Sequence, residues 1–533
     1  MLKRKMLRTI KLYKAQFLSM ILMVFLGVAV FVGITSEWYG MRVEVDKFYK
    51  EYNLADTWVY SDNFTREELN QVLELDCVKN AERRLMVDTK LADSEKTIRL
   101  HFIEKGEISR SFLSQGDKFN IDSDGIWLFD EFAYENNLNV NDEISLKYHQ
   151  FTFKKRILGL IKNPEYVYST KDDTVMISDA GNFGYAFLSY KAYPLSNIEY
   201  NQLLITKNEV SSKVLETKIR TSLLNKAMIF VAQEDHKSVQ MFEEEIESNK
   251  IMGGIFPVIF LLIAILSMIT TMTRITSNEK FQIGVLKALG FSKKKITLHY
   301  TSYGLLVGLI GSVLGIIIGP LTLGRIFLSF QKSIYYLPTW KTHIALVNYL
   351  VVLMMVLLLV LVSYLACRKN LKGSASESLR PLPRKIKSTL GLEKTRLWNK
   401  LSFNIKWNLR DLFRNKIRSL MSILGVGGCM MLMICAFSLN DSMKDISKWM
   451  YEDLHHYHTK INITENAPNE EINKLRTLVN GEVISNNLIE LKLSSTYEIK
   501  TLDIYDVHHL IHFEDIERNR IVLEGKGIYI SHK

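Results

Sequence analysis

The stretch Tyr300–Gly324 reads YTSYGLLVGLIGSVLGIIIGPLTLG, 25 residues without an Asp, Glu, Lys or Arg. About 20 such residues let a helix cross the hydrocarbon core of a bilayer. Four more runs share this property: Ala15–Ser36, Ile251–Thr273, Ile344–Cys367 and Ser419–Asn440. A soluble domain can bury one such run as a core helix, but five at this Leu/Ile/Val/Met density read as membrane spans. The uncharged run Ala180–Tyr190 is too short to span and carries Gly, Asn and Tyr, so it reads as soluble. The first span follows a basic start, as a cleaved signal peptide would. Its uncharged run is too long for that, however, and Thr35-Ser36-Glu37 is a poor cleavage site, so it reads as a retained anchor.

The net charge of +11 is unevenly spread. Residues 1–16 carry six Lys/Arg and no acid, residues 274–299 carry six against Glu279, and residues 367–418 carry fifteen against Glu377, Glu393 and Asp411. These three segments hold +23 and the remainder −12. If each run crosses once, all three lie on the same side. The positive-inside rule then puts the N-terminus in the cytoplasm of a bacterial cell (plasma) membrane protein. Basic runs placed beside spans argue for orientation in the bilayer rather than for nucleic acid.

The expected organisation is a membrane α-helical bundle plus an extracytoplasmic mixed α/β domain. Residues 1–36 form a cytoplasmic N-terminus and first span, and 37–250 the outside α/β domain with a helical stalk. Residues 251–367 hold spans two to four with a cytoplasmic loop at 274–299, 368–418 a basic linker, 419–440 the fifth span, and 441–533 the start of a second outside domain. Strand patterns occur at Thr97–Glu104, Glu143–Tyr148, Phe151–Ile161 and Gln202–Thr206, and helical ones at Arg66–Leu75 and Lys213–Asn225. Glu234–Lys250 places Val239, Phe242 and Ile246 on one face of a stalk helix. Cys77 is the only cysteine in an outside region, so no disulfide is expected there.

A faint internal repeat is legible. Arg8 and Arg410 lie 402 residues apart, as do Gly125-Ile126-Trp127-Leu128 and Gly527-Ile528-Tyr529-Ile530. The match Leu26-Gly27-Val28 to Leu424-Gly425-Val426 is about one helical turn out of step. Duplicated units are a common basis of two-fold transporters. On this reading the second unit continues beyond Lys533 with further spans.

The loop between spans two and three contains Glu279-Lys280-Phe281-Gln282-Ile283-Gly284-Val285-Leu286-Lys287-Ala288-Leu289-Gly290-Phe291-Ser292. Ile283, Leu286 and Leu289, flanked by Phe281 and Val285, fit a short helix at the membrane surface, with Lys287 and Lys293-Lys294-Lys295 facing water or headgroups. The residues alone leave a lipid-facing helix and a docking helix both open.

The run resembles the E-I-G-x-L-[KR]-A-[LI]-G motif of FtsX-like permeases, the family that includes MacB-like exporters and lipoprotein-release permeases. Ile283, Gly284, Leu286, Lys287, Ala288, Leu289 and Gly290 match. Glu279 and Lys280 belong to the charged lead-in, and Gln282 stands where Glu is usual. Asn163-Pro164-Glu165-Tyr166-Val167-Tyr168 looks like the outside domain of Gram-positive members, and Leu379-Arg380-Pro381 with Arg410–Gly427 looks like the linker and second anchor. The resemblance implies that the outside domain is MacB-core-like and that Glu279–Gly290 is a coupling helix docking into a cytoplasmic ABC ATPase dimer. Gly284 is then expected to admit a close partner surface, with Glu279 and Lys287 supplying complementary charge.

The resemblance implies a multi-pass ABC transporter permease acting by mechanotransmission, exporting or releasing a peptide, lipid-linked or drug-like substrate. The alternative is a non-transporting regulator of a cell-wall hydrolase or sensor kinase. No G-x-x-x-x-G-K-[ST] loop occurs, so ATP is expected on a partner subunit and this chain is read as neither an enzyme nor a cofactor binder. The spans lack central ionisable residues, which argues against an ion-coupled carrier. Gly304, Gly308, Gly311, Gly315 and Gly319 line one face of span three and are expected to pack within the bundle, dimer packing being the alternative. His455, His456 and His458 lack a completing motif and read as polar loop rather than metal site.

Overall fold

The computed structural model describes the chain apart from residues 1, 93, 149–150, 172–177, 196, 224–225, 227, 372, 380–397, 399, 415, 462, 464–466, 494–495, 506–508, 516, 524–527 and 530–533. Arg380-Pro381 of the linker, and Gly527 and Ile530 of the repeat, therefore lie outside the described residues. Two compact units form, residues 1–425 and 426–533. Among the described residues five helices are long and apolar enough to cross a membrane, and the chain is a membrane protein.

The first unit opens with α1 (Leu2–Leu12) and α2 (Lys14–Glu51). The α/β domain follows: β1 (Thr57–Tyr60), α3 (Arg66–Leu73), β2 (Val78–Leu91), β3 (Thr97–Ile103), β4 (Phe112–Gly116), β5 (Ile126–Phe129), α4 (Asp130–Glu135), β6 (Glu143–Tyr148), β7 (Phe151–Lys162), β8 (Phe183–Ser189), β9 (Gln202–Lys207), α5 (Ser212–Ser222) and β10 (Ile229–Ala232). The return to the bundle is α6 (Lys237–Asn278), then α7 (Lys280–Ala288), α8 (Lys293–Gly319), α9 (Arg325–Gln331), α10 (Leu346–Leu371) and α11 (Ala375–Leu379). After the linker comes α12 (Phe403–Arg414), leading towards α13 (Lys416–Lys448).

One mixed ten-stranded sheet organises the domain in the order β10-β1-β9-β2-β3-β8-β5-β7-β4, with β6 pairing both β2 and β7. The uncharged run read as soluble contains β8, whose seven residues are all buried. It lies parallel to β3 and antiparallel to β5, so both edges are paired and both faces covered. This accounts for its lack of charged residues. Trp127, Phe129, Phe132 and Tyr185 fill the adjoining core. Thr65 caps α3 and exchanges hydrogen bonds reciprocally with Glu68, which fixes the start of that helix.

In the bundle, α8 packs against both α2 and α10. The glycine stripe serves two partners in turn. Gly304 and Gly308 face Ser363 and Val356 of α10, whereas Gly311, Gly315 and Gly319 face Val24, Val28 and Ala29 of α2. A Cβ at Gly315 would lie 2.7 Å from Val28 Cβ. Gly315→Val is therefore expected to lower stability by about 1–3 kcal/mol through overpacking. A thermal melt of the purified chain reads this out, and an unchanged midpoint would refute close packing there.

In the second unit α14 (Asn469–Val479) precedes an antiparallel hairpin of β11 (Ile484–Leu493) and β12 (Thr496–Tyr505). His455 bridges Ile511, and His456 Nε2 lies 3.0 Å from His512 Nδ1.

Candidate coupling helix and the joint at the opposite end

The α7 helix is short because its last turn closes as a Schellman motif. Gly290 has φ +83° and its N–H donates to the Lys287 carbonyl, while the Phe291 N–H donates to that of Leu286. A left-handed residue is needed there, and glycine adopts it without a Cβ clash. Ser292 then caps α8.

The motif divides between two faces. Ile283 and Leu286 are 0 % and 5 % exposed and join the bundle core with Tyr300, Tyr303, Cys367 and Leu371. Phe281, Val285 and Leu289 are 62 %, 37 % and 63 % exposed, and Ala288 shares their exposure. Their i, i+4, i+8 spacing makes a bare apolar stripe. Exposed Lys293, Lys294 and Lys295 follow it. Leu289, grouped by its spacing with Ile283 and Leu286, thus belongs to the other face.

Two expectations are corrected here. Gly284 is buried within this chain and offers no surface to a partner. Glu279 and Lys287 are likewise engaged internally. Glu279, 5 % exposed, accepts hydrogen bonds from Lys5 Nζ (2.6 Å), the Tyr300 hydroxyl (2.5 Å) and Thr9 Oγ1 (2.9 Å). Burial opposes its charge, but Lys5 and the two hydroxyls outweigh that, holding its pKa below the ordinary glutamate value. Lys5 also donates to Gln282 Oε1 at 2.6 Å. Lys287 Nζ donates to the Leu371 and Gly373 carbonyls, each at 2.9 Å, tying α7 to the end of α10. Lys280 is half-buried. The α1 clamp over Glu279 had no signal in the linear pattern, because its members are some 270 residues apart.

The bundle's other end meets the α/β domain through the segment 332–345 between α9 and α10 and through the first turn of α10. The His343 N–H donates to the Ser36 carbonyl at 3.0 Å. Glu44 of α2 takes hydrogen bonds from Thr339 and, at 3.0 Å, from His343 Nε2. The Asn348 amide donates to Thr35 Oγ1 at 3.0 Å. On the domain side the Tyr336 N–H donates to the Val167 carbonyl at 2.7 Å, and Tyr335 bridges Tyr168. The Tyr168 N–H donates to Ser238 Oγ at the start of α6, 2.8 Å away.

Behind this contact the turn 163–166 is anchored in the domain. Arg84 Nη1 and Nη2 donate to the two Glu165 carboxylate oxygens at 3.1 and 2.7 Å, and Arg84 Nε donates to Gln202 Oε1 at 2.6 Å. Both side chains of the pair are 3 % exposed. Burial alone would raise the Glu165 pKa, but the facing guanidinium more than offsets this and lowers it. The run Asn163–Tyr168 stood out in the sequence; its partner segment around Tyr335 did not.

Residues 254–373 match the family model for the FtsX-like permease C-terminal domain. No curated protein matches the sequence. Among solved structures, the periplasmic region of MacB from Actinobacillus actinomycetemcomitans is similar at 11 % identity, covering 38 % of this chain and 97 % of that one, with a TM-score of 0.25. The extracellular domain of the noncanonic ABC-type transporter YknZ from Gram-positive bacteria is similar at 12 % identity, covering 30 % and 88 %, with a TM-score of 0.22.

Proposed function

We propose that this chain, whose residues 254–373 form an FtsX-like permease domain, is the membrane subunit of an ABC-type exporter or release machine. A separate cytoplasmic ATPase drives it by mechanotransmission. The observation that carries this reading is the division of α7 into a face locked into the bundle and a bare stripe of Phe281, Val285 and Leu289. A helix held so firmly on one side moves its neighbours when pushed on the other.

The path follows from the contacts. Glu279 ties α7 to α1, and α1 leads through Tyr13 into α2. The 38 residues of α2 and 42 of α6 span about 57 and 63 Å at 1.5 Å per residue, well beyond a hydrocarbon core of about 30 Å. Their excess length is the stalk, and the Tyr335–Tyr168 contact adds a second connection to the domain. The basic end, with α7, faces the cytoplasm under the positive-inside rule. ATP binds the partner and not this chain.

The duplicated unit belongs to the same proposal. Helix α2 starts at Lys14 and α13 at Lys416, 402 residues on, each preceded by a short basic helix. In the first hairpin Arg84 stands opposite Ile103, and 401 residues on Ser485 stands opposite Ile504. Helix α3 before the first hairpin has its counterpart in α14 before the second.

A photoreactive side chain at position 281 tests the docking. It is expected to capture a polypeptide carrying a phosphate-binding loop, whereas one at position 283 should reach only segments of this chain. Capture of lipid alone at 281 would overturn the coupling reading.

A further inference from the structure

We infer that the outer face of α1 is a docking surface for anionic phospholipid, holding the start of the first span at the bilayer interface. The inner face of this helix is already occupied: Leu2, Met6 and Ile10 pack on the bundle core, while Lys5 and Thr9 bond Glu279. What remains is an outward face on which Arg4, Arg8 and Lys11 alternate with Leu7 and Leu12. All five are exposed, the two leucines by 64 % and 74 %. Among the described residues none of the three cations is paired with an acid.

The composition of the face selects the occupant. Water suits the cations but not two bare leucines, and an apolar protein cleft suits the leucines but not three cations. A headgroup layer over acyl chains accommodates both, with leucine entering the boundary and Arg and Lys snorkelling to phosphate. Only Tyr13 separates α1 from α2, whose apolar run begins within one turn, so the face lies at the edge of the bilayer. The same order of residue types recurs as Lys406, Leu409 and Arg410 in α12, 402 residues on and again just before a long apolar helix. Anionic lipid attracts such juxtamembrane cations electrostatically.

The test uses the full chain carrying a nitroxide at position 7 (Leu7→Cys, the native cysteines replaced). It is reconstituted in nanodiscs of phosphatidylcholine and phosphatidylglycerol at about 2:1, and in phosphatidylcholine alone. The ratio of oxygen to nickel-chelate accessibility is expected to be about fivefold higher with the anionic lipid, reflecting a label drawn below the headgroups. A label at position 6, on the covered face, should read alike in both. Arg4→Glu with Arg8→Glu and Lys11→Glu should bring position 7 to its value in phosphatidylcholine. Equal ratios in the two bilayers for the chain with its cations intact would overturn the inference. So would protection of position 7 that arises only when the ATPase is added, since the face would then belong to that partner. Neither readout depends on ATP hydrolysis, so coupling can fail while the lipid contact stands.

Discussion

Replacing Arg84 with alanine is expected to destabilise the α/β domain by about 3–5 kcal/mol, because it leaves the Glu165 carboxylate buried without its counter-charge. The pair is 3 % exposed on each side and bidentate, so solvent cannot take over. For a domain of this size the melting midpoint should fall by roughly 6–20 °C. The double replacement Arg84→Met with Glu165→Leu should recover most of the loss, since an apolar pair of similar volume has no charge to strand. The pH dependence follows from the lowered pKa of Glu165, which burial opposes and Arg84 produces. A carboxylate depressed in the fold contributes stability above its unfolded value of about 4.3, and that contribution is lost as pH falls through the folded value. The native chain should therefore hold its stability down to about pH 5 and decline progressively below it. With Arg84→Ala the uncompensated burial raises the Glu165 pKa instead, and acidification towards pH 5 should partly restore stability. A melt series against pH separates the two signs, and matching profiles would refute the ion pair as a source of stability.

The second large effect is expected at the bare stripe of α7. Phe281→Ser and Leu289→Ser remove the two most exposed apolar side chains of the motif helix. Central apolar anchors of an interface commonly contribute about 2 kcal/mol or more each, so either change should weaken ATPase association by roughly 30-fold. Partner-stimulated hydrolysis should fall with it while the melting midpoint of the chain barely moves. Ile283→Ala should do the reverse, lowering stability by about 2–5 kcal/mol through a core cavity. Glu279→Gln weakens the α1 clamp rather than the docking face, because the carboxylate is spent on Lys5, Thr9 and Tyr300. Full coupling in both serine variants would refute the docking role of the stripe.

Much of the fold was legible in the linear chain. Long uncharged runs have few alternatives to a bilayer, because an apolar helix of that length must be covered by lipid or a large core. Runs rich in β-branched and aromatic residues marked β3, β6, β7 and β9, and the burial of β8 on both faces matches its uncharged run. The motif at 279–290 marked the segment of chemical interest because its spacing is local.

The division of labour inside that motif was decided only in three dimensions. Helical periodicity gives Leu289 the same apolar character as Ile283 and Leu286, yet the neighbours that bury one face lie on α8 and α10, far along the chain. Gly284 and Glu279 face the same way for the same reason, so residues that look available to a partner are consumed internally. The pairing of Arg84 with Glu165, 81 residues apart, and the seat of Tyr335 on Tyr168 depend likewise on which loops the sheet and bundle bring together. Sequence by itself determined what must avoid water and where the charges gather, since both are properties of residues and their near neighbours. Which polar groups satisfy one another was left to the tertiary structure, because a buried charge is stable only beside a partner that the fold delivers.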